Sequence, residues 1–113
     1  MIYSLKYTDS VPSGSAGYAR MWFIRIRPAY KDDKGLLEHE KVHVRQFWRT
    51  FGFHGLLYLF SKRYRLNAEV EAFMVQLEYA ADREEARRSF ALRLATHYNL
   101  DITVSEALIA LGG

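Results

Sequence analysis

Leu36-Leu37-Glu38-His39-Glu40-Lys41-Val42-His43-Val44-Arg45-Gln46-Phe47-Trp48-Arg49-Thr50-Phe51 is the stretch from which the rest of the chain is read. Leu37, Val44, Trp48 and Phe51 follow one another at intervals of seven, four and three residues, which is the repeat of one helical face. Lys41, Arg45 and Arg49 fall elsewhere around the same cylinder. Asp32 or Asp33 is placed to cap the helix at its start, and Gly52 and Gly55 break or bend it at its end. Within it, His39 and His43 stand four residues apart, so their imidazoles leave the same face and can present nitrogens to one metal ion. Glu40 lies on the flank of that face, close enough to reach a metal-bound water without ligating the metal itself.

Upstream, Ile2 to Tyr7 reads as a short strand, and Val11-Pro12-Ser13-Gly14-Ser15-Ala16-Gly17 as a loop expected to be the flexible part of the chain. From Met21 to Arg27 the residues alternate, with Trp22, Ile24 and Ile26 on one face and Met21, Phe23, Arg25 and Arg27 on the other. Its outward arginines predict a sheet edge, because charge there discourages pairing with other chains. Downstream, a helix is predicted from Asn67 to Arg88, with Val70, Phe73, Met74, Leu77 and Ala81 at core spacing and Glu84 able to pair with Arg88. Phe90 to Tyr98 continues as helix, and Thr103 or Ser105 caps a last one through Leu111. Strands first and helices after predict an α+β fold: a small N-terminal sheet packed on the histidine helix and further C-terminal helices.

The 113 residues, half of them hydrophobic, support one core and one domain, 1–113. Sixteen Lys and Arg against thirteen Asp and Glu give a net charge of +3, too diluted for a nucleic-acid arm. Without cysteine there is no thiolate metal site, so a metal must rest on His and carboxylate ligands. The polar N-terminus lacks the features of a signal peptide, which makes the cytoplasm the default expectation. The most apolar window, Phe51 to Phe60, is too short to span a bilayer and reads as buried or interfacial. With Lys62, Arg63 and Arg65 after it, its alternative use is a cationic surface for a membrane or a partner. Arg83, Arg87, Arg88 and Arg93 are interrupted by Asp82, Glu84 and Glu85, the pattern of a solvated face.

A catalytic zinc commonly takes three protein ligands and keeps one position for water. The third is sought in Asn67-Ala68-Glu69-Val70-Glu71-Ala72, where Glu69 and Glu71 point nearly opposite ways on a helix, so only one of them can ligate. These residues together resemble the zinc metallopeptidases of the gluzincin type. His39, Glu40 and His43 stand at the His-Glu-x-x-His positions, Gln46 extends the motif, and Glu69-Val70-Glu71-Ala72 looks like the Glu-x-x-Ala segment. The resemblance covers roughly residues 20 to 80, and the short chain is also similar to the single-domain minimal members. It implies zinc held by His39, His43 and Glu69, Glu40 as general base, and peptide-bond hydrolysis, with substrate added along the strand Met21 to Arg27. By the same resemblance, a terminal segment such as Asn99 to Gly113 is a candidate to cover the cleft and keep the enzyme latent. The ordinary reading is that Ile102, Val104, Leu108 and Leu111 complete the core.

The chain departs from the family pattern at Phe73, where many members place an Asp that supports the first zinc histidine. Glu71, Gln76 or a backbone carbonyl is then expected to serve instead. His54, Tyr64, Tyr79 and His97 are candidates to stabilise the oxyanion, and the sequence selects none of them. The competing reading is a non-catalytic, zinc-stabilised module that contacts a protein, a membrane surface or nucleic acid. Glu40 separates the two, because a structural site closed by four protein ligands has no need of it.

Overall fold

A computed structural model describes residues 1–112. Three short strands, β1 (Ser4–Tyr7), β2 (Gly17–Arg20) and β3 (Phe23–Ile26), are followed by one turn of 3-10 helix at Pro28–Tyr30. Five helices follow: α1 (Lys34–Arg49), α2 (His54–Phe60), α3 (Lys62–Leu77), α4 (Arg83–His97) and α5 (Val104–Ala110). The fold is α+β, as its strand-then-helix order predicts. No helix among the described residues is long and apolar enough to cross a membrane.

The alternation over 21–27 reads the faces of β3 correctly, since Ile24 and Ile26 are buried together with Val44 of α1. Its place in the sheet is the reverse of the expected one. The strand order is β1-β3-β2, so β3 is central, parallel to β1 with Leu5 opposite Ile24 and antiparallel to β2 with Ala19 opposite Ile24. β2 escapes the sequence reading because Gly17-Tyr18-Ala19-Arg20 is too short to show a periodic pattern, and it forms only by folding back through a turn at Met21 (φ 55°) and Trp22. The arginines have another task than guarding an edge. Arg27 donates to the carbonyls of Asp9, Val11, Pro12 and Ser15, which pins the loop expected to be flexible, and Arg25 donates to those of Ser4 and Ile24.

Asp33 caps α1 by accepting from the Leu36 backbone N–H at 3.0 Å. The apolar stripe is only partly buried: Val44 reaches the sheet, but Trp48 and Phe51 are exposed. Trp48 lies along Trp22 and donates its indole N–H to the Ile2 carbonyl. Phe51 (φ 53°) and Gly52 (φ 86°) end the helix in left-handed backbone, a conformation that favours glycine and strains phenylalanine.

The helix expected over 67–88 is two helices. Ser61 caps α3 through the Tyr64 N–H, and Asp82 caps α4 through the Glu85 N–H, with Glu84 and Glu85 favoured in the first turn by the helix dipole. Asp82 followed three residues later by Glu85 was the legible start signal. The new boundary leaves Ala81 exposed and Met74 half-exposed, and Glu84 pairs with Arg87 rather than Arg88. Where one core was expected there are two buried clusters: Ile24, Ile26 and Val44 between sheet and α1, and Phe73, Ala91, Leu94, Leu100, Ala107 and Leu111 where α3, α4 and α5 meet. Thr103 and Glu106 cap α5 reciprocally, and its buried Ala107 commits the C-terminal segment to this core.

Candidate metal centre

α1 and α3 run against each other, closely enough at Gly35 that an added Cβ would lie 3.2 Å from Gln76 and Tyr79 side-chain carbons. Between them His39, His43 and Glu69 converge, all three buried, with one potential ligand atom from each within 4.8 Å of the others. Glu69 Oε1 lies 3.4 Å from His39 Nε2 and 3.2 Å from His43 Nε2. Zinc bonds of about 2.0–2.1 Å at tetrahedral angles separate neighbouring ligand atoms by about 3.3 Å, so the two separations from Glu69 suit such a site, and two imidazoles with a carboxylate are a donor set for zinc or another first-row divalent metal. Glu71 is elsewhere: it accepts from Gln46 and Arg49 on the outer side of α3.

The hydrogen bonds around the cluster determine which nitrogen of His43 is free. Gln46 uses its NH2 to donate to the Ala68 carbonyl at 3.0 Å and to Glu71 at 2.9 Å. Its oxygen therefore faces His43 Nδ1 at 2.9 Å as acceptor, which places a proton on Nδ1 and makes Nε2, directed at Glu69 Oε1, the nitrogen that a metal would take in place of a proton. Tyr58 of α2 donates to Glu69 Oε2 at 2.5 Å, holding the carboxylate so that Oε1 alone faces the histidines. Sequence reasoning had no signal for Tyr58, since only the return of α2 over α3 brings it there. His39 lacks comparable support. Its Nδ1 is buried with no hydrogen-bond partner, and the Phe73 ring meets it edge-on at 4.6 Å. Neither Glu71 nor Gln76 fills the expected supporting role.

Electrostatics follow from burial and from these contacts. Burial pushes the Glu40 carboxyl up, against the opposing pull of His39 and His43. Burial favours a neutral His43, but Glu69 with Gln46 outweighs it and raises the ring to about 9 in the metal-free chain. Glu69 is held well below the usual carboxylate range because the two histidines overcome its burial. His54, which bonds Tyr64 at 2.7 Å, is pushed down to about 4 by burial and by the nearby His43. Burial, then the Glu69 charge, pushes the Tyr58 and Tyr98 hydroxyls up.

A pH dependence results. A His43 value raised on folding stabilises the metal-free protein fully below about 6.5 and progressively less as pH rises through about 9. The raised Glu40 value acts in the same direction, and the lowered His54 value has given nearly all its contribution by pH 7. Thermal unfolding in chelator should therefore show Tm falling between pH 7 and pH 9.5 by at least about 4 °C, the equivalent of about 1 kcal/mol in a domain of this size. A flat or rising Tm would contradict the His43–Glu69 pairing.

The cluster lies in a cleft of about 610 Å³, within the range of small-molecule sites. β2 forms one wall, and Gly17 sits so close to Glu40 that a Cβ there would come within 3.6 Å of the carboxylate and 3.0 Å of the Arg25 carbonyl. His54 and Tyr58 of α2, with Arg93 and His97 of α4, complete the lining. Of the oxyanion candidates, His54 and His97 line the cleft, Tyr64 reaches it only through His54, and Tyr79 lies outside beneath Lys34. The lining ends at Tyr98, so the described part of the C-terminal segment does not cover the cleft; Gly113 lies outside the described residues. Comparison of the chain with family models, curated proteins and solved structures returns no match of any of the three kinds.

Proposed function

We propose that the chain is a zinc-dependent metallopeptidase similar to the gluzincin type, with His39, His43 and Glu69 holding the metal and Glu40 acting as general base. One observation carries the reading: two buried histidines and a buried carboxylate, brought from separate helices, meet at the floor of an open cleft with a further buried carboxylate beside them. Bound zinc would supply a Lewis acid for a substrate carbonyl and lower the pKa of its water to about 7. Glu40 accepts the proton of the attacking water and returns it to the leaving amine. Tyr58 and Gln46 keep Glu69 and His43 in position. Substrate addition moves from β3 to β2, because β2 has the free sheet edge and lines the cleft.

Metal content is the direct test. Protein purified without chelator or metal-affinity resin should carry about one zinc per chain, His43→Ala and Glu69→Ala should each lose it, and Glu71→Ala should keep it. A wild type that takes up no zinc after dialysis against zinc would overturn the reading. Retention by Glu69→Ala with loss by Glu71→Ala would reassign the third ligand.

A further inference from the structure

The segment from Thr50 to Ser61 has no charged residue, yet it lies at the surface. Phe51 is 92% exposed, Phe60 79% and Leu59 65%, and Phe53 and Leu56 are exposed beside them. A core does not explain side chains in solvent, and five large apolar side chains exposed within one short segment point to a contact surface. α2 has two sides: Tyr58 and His54 face the cleft, while Phe53, Leu56, Leu59 and Phe60 face outward.

Charge around the patch names the kind of surface. From Lys41 to Ala68 the chain carries six Lys and Arg and no Asp or Glu, while the remainder carries ten against thirteen. Lys62 pairs with Asp101 and Arg49 with Glu71 from elsewhere in the fold, and Arg65 is buried against backbone carbonyls. Arg45 and Arg63 are exposed with no ion-pair partner among the described residues. Two copies docked through this face in two-fold symmetry would set like charges against each other. A short apolar helix that cannot span a bilayer, followed directly by the unpaired Arg63 and preceded in the chain by the unpaired Arg45 of α1, is instead complementary to an anionic lipid surface.

We propose that α2 and the turn before it, residues 50–63, seat this protein on anionic membranes with Phe51, Leu59 and Phe60 entering the headgroup boundary. The seating does not depend on zinc. A consequence that does rest on the peptidase reading is the substrate class: because the helix that contacts lipid also supplies Tyr58 to Glu69, the cleft would work on peptides held at the bilayer surface.

Co-sedimentation of the full chain with vesicles tests the seating, with and without chelator, so that failure of the zinc reading leaves the result interpretable. Vesicles of phosphatidylcholine with about one-third phosphatidylserine should bind the protein at least about tenfold more tightly than phosphatidylcholine alone, and high salt should abolish the difference. Leu59→Asp and Phe60→Asp, both at exposed positions and checked for an unchanged circular dichroism spectrum, should each weaken binding at least about tenfold, and Arg63→Glu about fivefold. Absence of binding to anionic vesicles, or binding indifferent to these substitutions, would overturn the proposal. So would a dimer in light scattering that Leu59→Asp dissolves, which would assign the patch to a second copy.

Discussion

Glu40→Gln should leave about one zinc on the protein and lower kcat for peptide hydrolysis by about 10²- to 10⁴-fold, the usual contribution of a positioned base. The substitution preserves the shape of a side chain that is buried beside both histidines and in near contact with Gly17, so packing changes little. It removes a proton acceptor and nothing that binds metal. The measurement pairs zinc content with turnover of a quenched-fluorescent peptide library. Unchanged turnover with zinc retained would remove Glu40 from its role, and loss of zinc would place it among the ligands. The substitution also separates the two functional readings, because a zinc-stabilised module would keep its metal, its stability and its partner contacts without this carboxylate.

Phe73→Ala should be the most damaging single truncation, destabilising the metal-free protein by about 3–5 kcal/mol. Phe73 is 2% exposed, stacks on Phe90 at 4.7 Å, meets Tyr98 edge-on and closes the hydrophobic side of His39. It joins the helical core to the His39–His43–Glu69 cluster. Its removal opens a cavity between the two and should lower Tm by more than about 10 °C in chelator. Zinc at saturating concentration should restore part of that loss, since a ligand bound only by the folded state stabilises it. Phe60→Ala, equally aromatic but exposed, should change stability by no more than about 0.5 kcal/mol. Equal effects of the two substitutions in urea denaturation would mean that burial does not distinguish them.

Local spacing was enough for whatever depends on residues close in the chain. The helix around His39 and His43 follows from its apolar repeat and from Asp33 before it, and four-residue spacing alone turns both imidazoles to one side. The Thr103–Glu106 cap of α5 and the inward faces of Ile24 and Ile26 are local in the same sense. Apolar spacing alone ran the helix on through residues 67–88, and the Asp82 cap that divides them, not read as a start signal, is what the structure adds.

Whatever depends on elements distant in sequence came from packing. β3 became central because β2 folds back on one edge while β1 arrives from the other side, and no property of residues 21–27 records either event. Glu69 rather than Glu71 joins the histidines because of the rotation of α3 against α1, which turns one carboxylate inward and leaves the other to Gln46 and Arg49. Tyr58 on Glu69 and the unsupported Nδ1 of His39 likewise arise from helix packing. Hydropathy places Phe51 to Phe60 out of water, but burial is a property of neighbours, and the described fold covers His54 and Tyr58 in part while leaving Phe51, Phe53, Leu56, Leu59 and Phe60 exposed. Residue spacing settles which helix faces the candidate metal-binding groups occupy, since the helix period is a local geometry. The packing of those helices determined which groups meet, since a contact between distant residues exists only once the chain has closed on itself.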